Sequence, residues 1–140
     1  MSKVDEKDDD IMIASEKYWK LHLSALQFID DVLQVKWPKV FTKKPAPKVP
    51  LAIGFTDELL KKKDELNTSG KVIRKAIQLW CRGWRYHKAC SVSGAARYNL
   101  EGEACGYVSG RAAKYARSKL LYLEEENQTP NESQTGEMEP

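Results

Sequence analysis

No stretch of the chain approaches the roughly 20 consecutive apolar residues that cross a bilayer. The opening MSKVDEKDDD is acidic where a secretory signal or transit peptide would be basic and apolar. The expectation is therefore a cytoplasmic protein without a membrane span. Cysteine is scarce. Cys81, Cys90 and Cys105 are odd in number and widely spaced, which excludes a disulfide framework and reads as buried reduced thiols. A metal centre would have to draw on Cys81, His87, Cys90 and Cys105, which lack the paired short spacings of zinc sites, so no metal is expected. Histidine is rarer still, and His22 and His87 read as core residues.

Catalytic signatures are missing too. There is no nucleotide-binding glycine loop, no His-Glu metalloprotease helix, and no Ser or Cys nucleophile with a recognisable base. GKVIRK lacks the glycine spacing of a P-loop. Acids at 30–31, 57–58 and 64–65 suit helix surfaces and caps, whereas nuclease chemistry wants acids clustered around metal ions. Neither an enzyme nor a cofactor is expected.

What the chain does hold is positive charge in its middle. At 140 residues it suits one domain with a modest core. The net charge is +3, but residues 1–10 carry −3 and residues 124–140 carry −6, which leaves the body, 11–123, at +12. A basic body between acidic ends suggests a polyanionic partner.

The apolar periodicity orders the rest. Residues 1–10 and the polar, acid-rich 124–140 are expected to be disordered. From about Ile11 to Lys36 the pattern is helical, with Trp19, Leu23, Leu26, Ile29 and Leu33 as the inward stripe; Asp10 offers one cap for its start, and Ser15 followed by Glu16 a second start. Pro38, Pro45, Pro47 and Pro50 forbid a helix next, so VKWPKVFTKKPAPKVP reads as an extended connector anchored by Trp37, Val40 and Phe41. TDELLKKKDEL is a short helix capped by Thr56, with Asp57 and Glu58 at its positive end. NTSG ends it, and the next helix starts near Thr68 or Ser69. ARYNL and EACGYV flank a tight turn at Glu101-Gly102, a β-hairpin. Ser109 caps a last helix with Ala113, Ala116, Leu120 and Leu123 inside. The fold class is α+β, mainly α-helical: one compact domain with a small β-hairpin and an N-terminal helical extension.

The stretch GKVIRKAIQLWCRGWRYHKA, Gly70 to Ala89, holds six cationic side chains, three aromatics and no acid. On one continuous helical wheel, Ile77, Trp80 and Trp84 fall within about 40° of Ile73. Lys71, Arg74, Lys75, Arg82 and Arg85 gather between about 100° and 200°, and Tyr86 borders them. Such like-charged neighbours cost a few tenths of a kcal/mol each, which a bound polyanion would offset. The wheel leaves three readings open: nucleic acid phosphate, a solvated basic face, and an acidic protein partner on a helical adaptor. A basic helix in the major groove of duplex DNA is a further variant.

Taken in order, WPKVF, PLAIGF, IRKAIQLWCRGWRYHKA, GAARYNLEGEACGYVS and an alanine-rich helix resemble the ProQ/FinO family of bacterial RNA chaperones, over about Phe28 to Leu121. The resemblance implies a domain over 28–123 preceded by a helical extension over 11–27. It implies binding to structured RNA, above all intrinsic-terminator hairpins with a single-stranded 3′ U-rich tail. Stabilisation of small RNAs and promotion of RNA–RNA pairing would follow, without ATP or chemistry. The protein is expected to act as a monomer.

The same resemblance puts Tyr86 and Arg97 in a pocket for the RNA 3′ end, together with the start of the last helix at Ser109, Gly110 and Arg111. Arg74 matches the family's basic position, and Lys71, Lys75, Arg82, Arg85 and Lys88 join it from the wheel. A helix start offers free N–H groups and a positive dipole end to an anion. Two departures stand out. Gln78 stands where many relatives have arginine, and NLEG replaces DLDG in the hairpin turn.

Overall fold

The computed structural model describes residues 2–123, with side chains from Ala14 onward; the stretch 124–140, expected to be disordered, lies outside the described residues. The chain begins with a long helix, α1 (Ser2–Phe28), which runs on through a π-helical turn (Ile29–Leu33) into a final turn, α2 (Gln34–Lys36). The helix starts at Ser2, so residues 2–10 are helical where disorder was expected.

The inward face of α1 also differs from the expected stripe. Ala25, Phe28, Ile29 and Leu33 are buried, while Trp19, Leu23 and Leu26 are exposed. A small residue marks the difference. Ala25 adds little to an apolar count, yet it is fully buried on the face that turns in. The π turn then inserts an extra residue into the repeat.

After the Trp37–Pro50 connector come α3 (Phe55–Leu60), α4 (Gly70–Cys81) and α5 (Trp84–Ala89). Gly54, at φ +83°, precedes α3 in a left-handed conformation that a side chain disfavours, so the helix starts one residue before the expected Thr56 cap. Ser69 caps α4, its Oγ accepting from Val72 N–H at 3.2 Å. α1 lies along α4. Phe41 meets Phe55 and Trp80 edge-on, with ring centres 5.6 and 5.1 Å apart. Each such pair stabilises by about 0.5–1.5 kcal/mol beyond simple burial. Leu33, Val40, Leu59, Ile73 and Leu100 fill in around them.

The hairpin forms as expected, from β1 (Ala96–Tyr98) and β2 (Ala104–Tyr107), antiparallel. Its turn places Gly102 at φ +78°. The pairings Ala96–Tyr107 and Tyr98–Ala104 leave two residues of β2, Cys105 and Gly106, opposite Arg97 alone. That two-against-one count is a β-bulge, which aims the opposing side chain. On the other side of β1 the connector pairs with it: Tyr98 N–H donates to Pro50 C=O and Ala52 N–H to Tyr98 C=O, both at 2.9 Å. The last helix, α6, begins at Gly110 and includes the described residues 110–123. Ser109 caps it as expected, its Oγ accepting from Ala112 N–H at 3.1 Å. Ala113 and Ala116 are buried beneath it.

Candidate nucleic-acid interface

The stretch from Gly70 to Ala89 is two helices, not one. Arg82 ends α4, and Gly83 takes an extended conformation at φ −84°, ψ 167° before α5 starts at Trp84. The break resets the wheel. Ile73, Ala76, Ile77 and Trp80 are buried as expected, but Trp84, expected inside, is 37% exposed. Tyr86, expected on the rim of the basic arc, is 9% exposed.

Tyr86 is held from several sides. Its hydroxyl accepts from Leu51 N–H at 3.0 Å and lies beside the thiols of Cys81 and Cys90. Burial, and then the neighbouring Cys81, pushes the phenol well above its ordinary pKa. Burial likewise raises the Cys81 thiol to about 11 and lifts Cys90. Both stay protonated near neutral pH. Cys105, expected to be buried with them, lies exposed on β2. Among the described residues no cluster of His, Cys, Asp and Glu is placed to hold a metal ion.

Because Tyr86 O–H satisfies a buried backbone N–H, Tyr86→Phe is expected to destabilise the fold by about 1–2 kcal/mol. Thermal and urea unfolding of the two proteins measure this, and an unchanged midpoint would show that Leu51 N–H finds another partner.

Around Tyr86 opens a cavity of about 390 Å³ lined also by Arg97, Ser109, Arg111 and Tyr115. Arg97 reaches it from β1 opposite the bulge. One guanidinium nitrogen, Nη1, donates to Leu51 C=O at 2.8 Å, and Nε is buried without a partner. Leu51 thus ties Tyr86 and Arg97 together, its N–H to one and its C=O to the other. Ser109 and Arg111 come from the start of α6, where the first amides lack intrahelical partners. Gly110 opens that helix.

A second cavity, of about 450 Å³, adjoins the first and shares Tyr86, His87 and Tyr115 with it; Gln78, Arg82 and Lys119 line its far side. His87 is half-buried, and burial, with Lys119 nearby, lowers its pKa below the ordinary value. His22 is also not a satisfied core histidine, for its Nδ1 is buried without a hydrogen bond.

The expected basic arc is divided. Lys71, Arg74 and Arg82 are exposed on or next to α4. Lys75 is half-buried, with Nζ 4.6 Å above the Tyr18 ring of α1. Arg85 turns away to the connector, donating to Ala46 C=O. Lys88 sits over the Trp84 ring at 4.8 Å. Sequence reasoning missed Tyr115 and Lys119. With Arg111 they repeat every four residues along α6, on a face that borders the buried Ala113 and Ala116. That spacing was a readable signal that the alanine stripe overshadowed.

Fold and cleft together define a small helical domain. Its two-stranded hairpin and last helix close an arginine- and tyrosine-lined cavity beside a basic helix. The chain belongs to the ProQ/FinO family, whose family model matches residues 25–134. The solution structure of a ProQ homolog from Legionella pneumophila is similar, at 31% identity and a TM-score of 0.59, covering 70% of this chain and 81% of that one. The crystal structure of a FinO-like RNA chaperone from Neisseria meningitidis shares the fold. Its identity is 22% and its TM-score 0.55, over 66% of this chain and 89% of that one. Among the described residues no helix is long and apolar enough to cross a membrane.

Proposed function

We propose that this chain is an RNA-binding protein that acts as a chaperone on structured RNA in the cytoplasm. Its ligand is the terminator-like hairpin with a single-stranded 3′ U-rich tail. It binds as a monomer, stabilises small regulatory RNAs and promotes their pairing. The role needs no chemistry, only grip and release.

One observation carries the reading: Tyr86, Arg97, Ser109 and Arg111, most of them distant in sequence, line one cavity that adjoins a second one lined by Arg82, at the end of α4, and by Lys119. In this reading the last nucleotide enters the cavity. Its ribose and phosphodiester meet Arg97 and the unpaired amides at the start of α6. Tyr115 and Tyr86 supply ring surface, and Lys71, Arg74 and Arg82 hold stem phosphates. The duplex-DNA alternative is disfavoured by the break at Gly83, which leaves a short basic helix with α1 packed along its flank. A helix must be free on its sides to enter a major groove.

The test is a titration with one terminator hairpin whose U tail ends either in a free 3′ hydroxyl or in a 3′ phosphate. A preference of roughly ten-fold or more for the hydroxyl is expected, because a 3′ phosphate replaces the ribose hydroxyl donor that this reading sets against the cavity's polar groups. Equal binding would remove the 3′ end from the cavity. Failure of both hairpins to bind at low salt would end the RNA reading itself.

A further inference from the structure

A second cleft lies on the other side of α5, between that helix and the proline-rich connector. Its volume is about 370 Å³, within the range of ligand sites. Its walls are Pro45, Pro47, Lys48, Trp84, Arg85 and Lys88, without a single carboxylate. It is built, not incidental. Arg85 donates to Ala46 C=O. Lys48 Nζ donates to Trp80 C=O at 2.9 Å and lies 4.0 Å from the Trp80 ring centre. Within the connector, Thr42 Oγ1 donates to Pro47 C=O at 2.8 Å, and Gln34 Nε2 pins Thr42 C=O at 3.0 Å.

Three features of this cleft suit a ligand. Trp84 starts a helix with its indole partly in solvent, although burial of that ring would be favourable. Three cations converge on a cleft that no carboxylate lines, Asp30 being in the adjoining cavity with Lys48 and Arg85. Lys48 stays there although burial, with Arg85 beside it, lowers its pKa to about 8. An indole with flat prolines and a ring of cations is the chemistry of single-stranded nucleic acid binding. There bases stack on aromatic rings and phosphates are held by Lys and Arg.

We propose that the Trp84–Pro45–Pro47 cleft is a second RNA-contact site, which takes an unpaired nucleotide by stacking its base on Trp84 and holding the adjoining phosphates with Lys48, Arg85 and Lys88. The inference rests on the RNA-binding reading and extends it. Tyr86 and Arg85 are successive residues of one short helix, so the 3′-end cavity and the second cleft lie on two sides of α5. One RNA can then be held by its stem and 3′ end on one side and by a flanking single strand on the other. Two linked contacts raise affinity by effective concentration alone.

The probe is a 3′-phosphorylated oligoadenylate of about six nucleotides, a length within one single-strand site, titrated into the full chain. Its blocked end disfavours the Tyr86 cavity. Binding is followed by tryptophan fluorescence and by a separate affinity measurement. The expected result is quenching in the unmodified protein and loss of that quenching in Trp84→Phe, whose ring still stacks. Trp84→Ala should weaken binding roughly ten-fold, and Lys88→Gln should make the salt slope shallower by about 0.7. Arg97→Ala should still bind the oligonucleotide.

The proposal is overturned if folded Trp84→Ala binds as tightly as the unmodified chain, or if quenching persists in Trp84→Phe. It also fails if Arg97→Ala abolishes oligonucleotide binding, which would assign the strand to the first cavity. Equal quenching and competition by a polyglutamate peptide would assign the cleft to an acidic protein. If the terminator hairpin binds and the oligonucleotide does not, the second site falls and the RNA reading stands. If neither binds, both fall.

Discussion

Arg97→Ala is expected to weaken binding of a terminator hairpin with a free 3′ U tail by roughly 2–4 kcal/mol, about 30- to 1000-fold, while a blunt stem without a tail changes little. The magnitude follows from where the guanidinium sits. It is placed by the bulge at Cys105 and Gly106, tied by Nη1 to Leu51 C=O at 2.8 Å, and half-buried against the apolar floor of the cavity. Donors fixed in such a site strengthen a charged hydrogen bond and need no reorganisation when the ligand arrives. Arg97→Lys keeps the charge but loses the planar fork, and is expected to recover only a small part of the affinity. Loss of the Leu51 contact also costs stability, about 1 kcal/mol. Melting curves recorded with the titrations keep that effect separate. A folded Arg97→Ala protein with full affinity for the tailed hairpin would remove Arg97 from the site.

Much of this architecture was legible before any coordinates, wherever a local chemical need names the residue. Ser69 and Ser109 cap the helices that their positions predict, because a free amide wants a short acceptor at that place. Gly102 turns the hairpin because the turn requires positive φ. The four prolines announced the connector. What was not legible depends on a phase set elsewhere.

Gly83 is tolerated inside a helix at a cost of about 1 kcal/mol, so nothing local says that the helix stops there. Yet the stop turns Trp84 outward and Tyr86 inward. In α1 the inward face is set by how the helix packs along α4, a contact between distant segments that no periodicity contains. Tyr86 and Arg97 could be paired only by family resemblance. The physical link between them, the N–H and C=O of Leu51, is a backbone feature. No side-chain motif carries it.

The largest effect should come from salt. Lys71, Arg74, Arg82, Arg111 and Lys119 are exposed on or next to α4 and α6, Arg82, Arg111 and Lys119 lining the two cavities and Lys71 and Arg74 lying nearer the start of α4. This set differs from the five cations of the single wheel, because Lys75 rests on Tyr18 and Arg85 faces the connector. About five phosphate contacts give a slope of log K against log salt of roughly −3.5 to −4.5, so raising salt from about 50 to about 200 mM should lower hairpin affinity by more than about 100-fold. Arg74→Ala should make the slope shallower by about 0.7–0.9. Gln78 supplies the opposite test. It is exposed and lines the cavity that Arg82 and Lys119 also line, so Gln78→Arg adds a cation where a stem phosphate would pass. That variant should bind several-fold tighter at low salt and steepen the slope by a similar amount. Five cations without a bound polyanion would leave affinity for the hairpin flat in salt, and a flat line across all three proteins would return the basic face to a solvated surface.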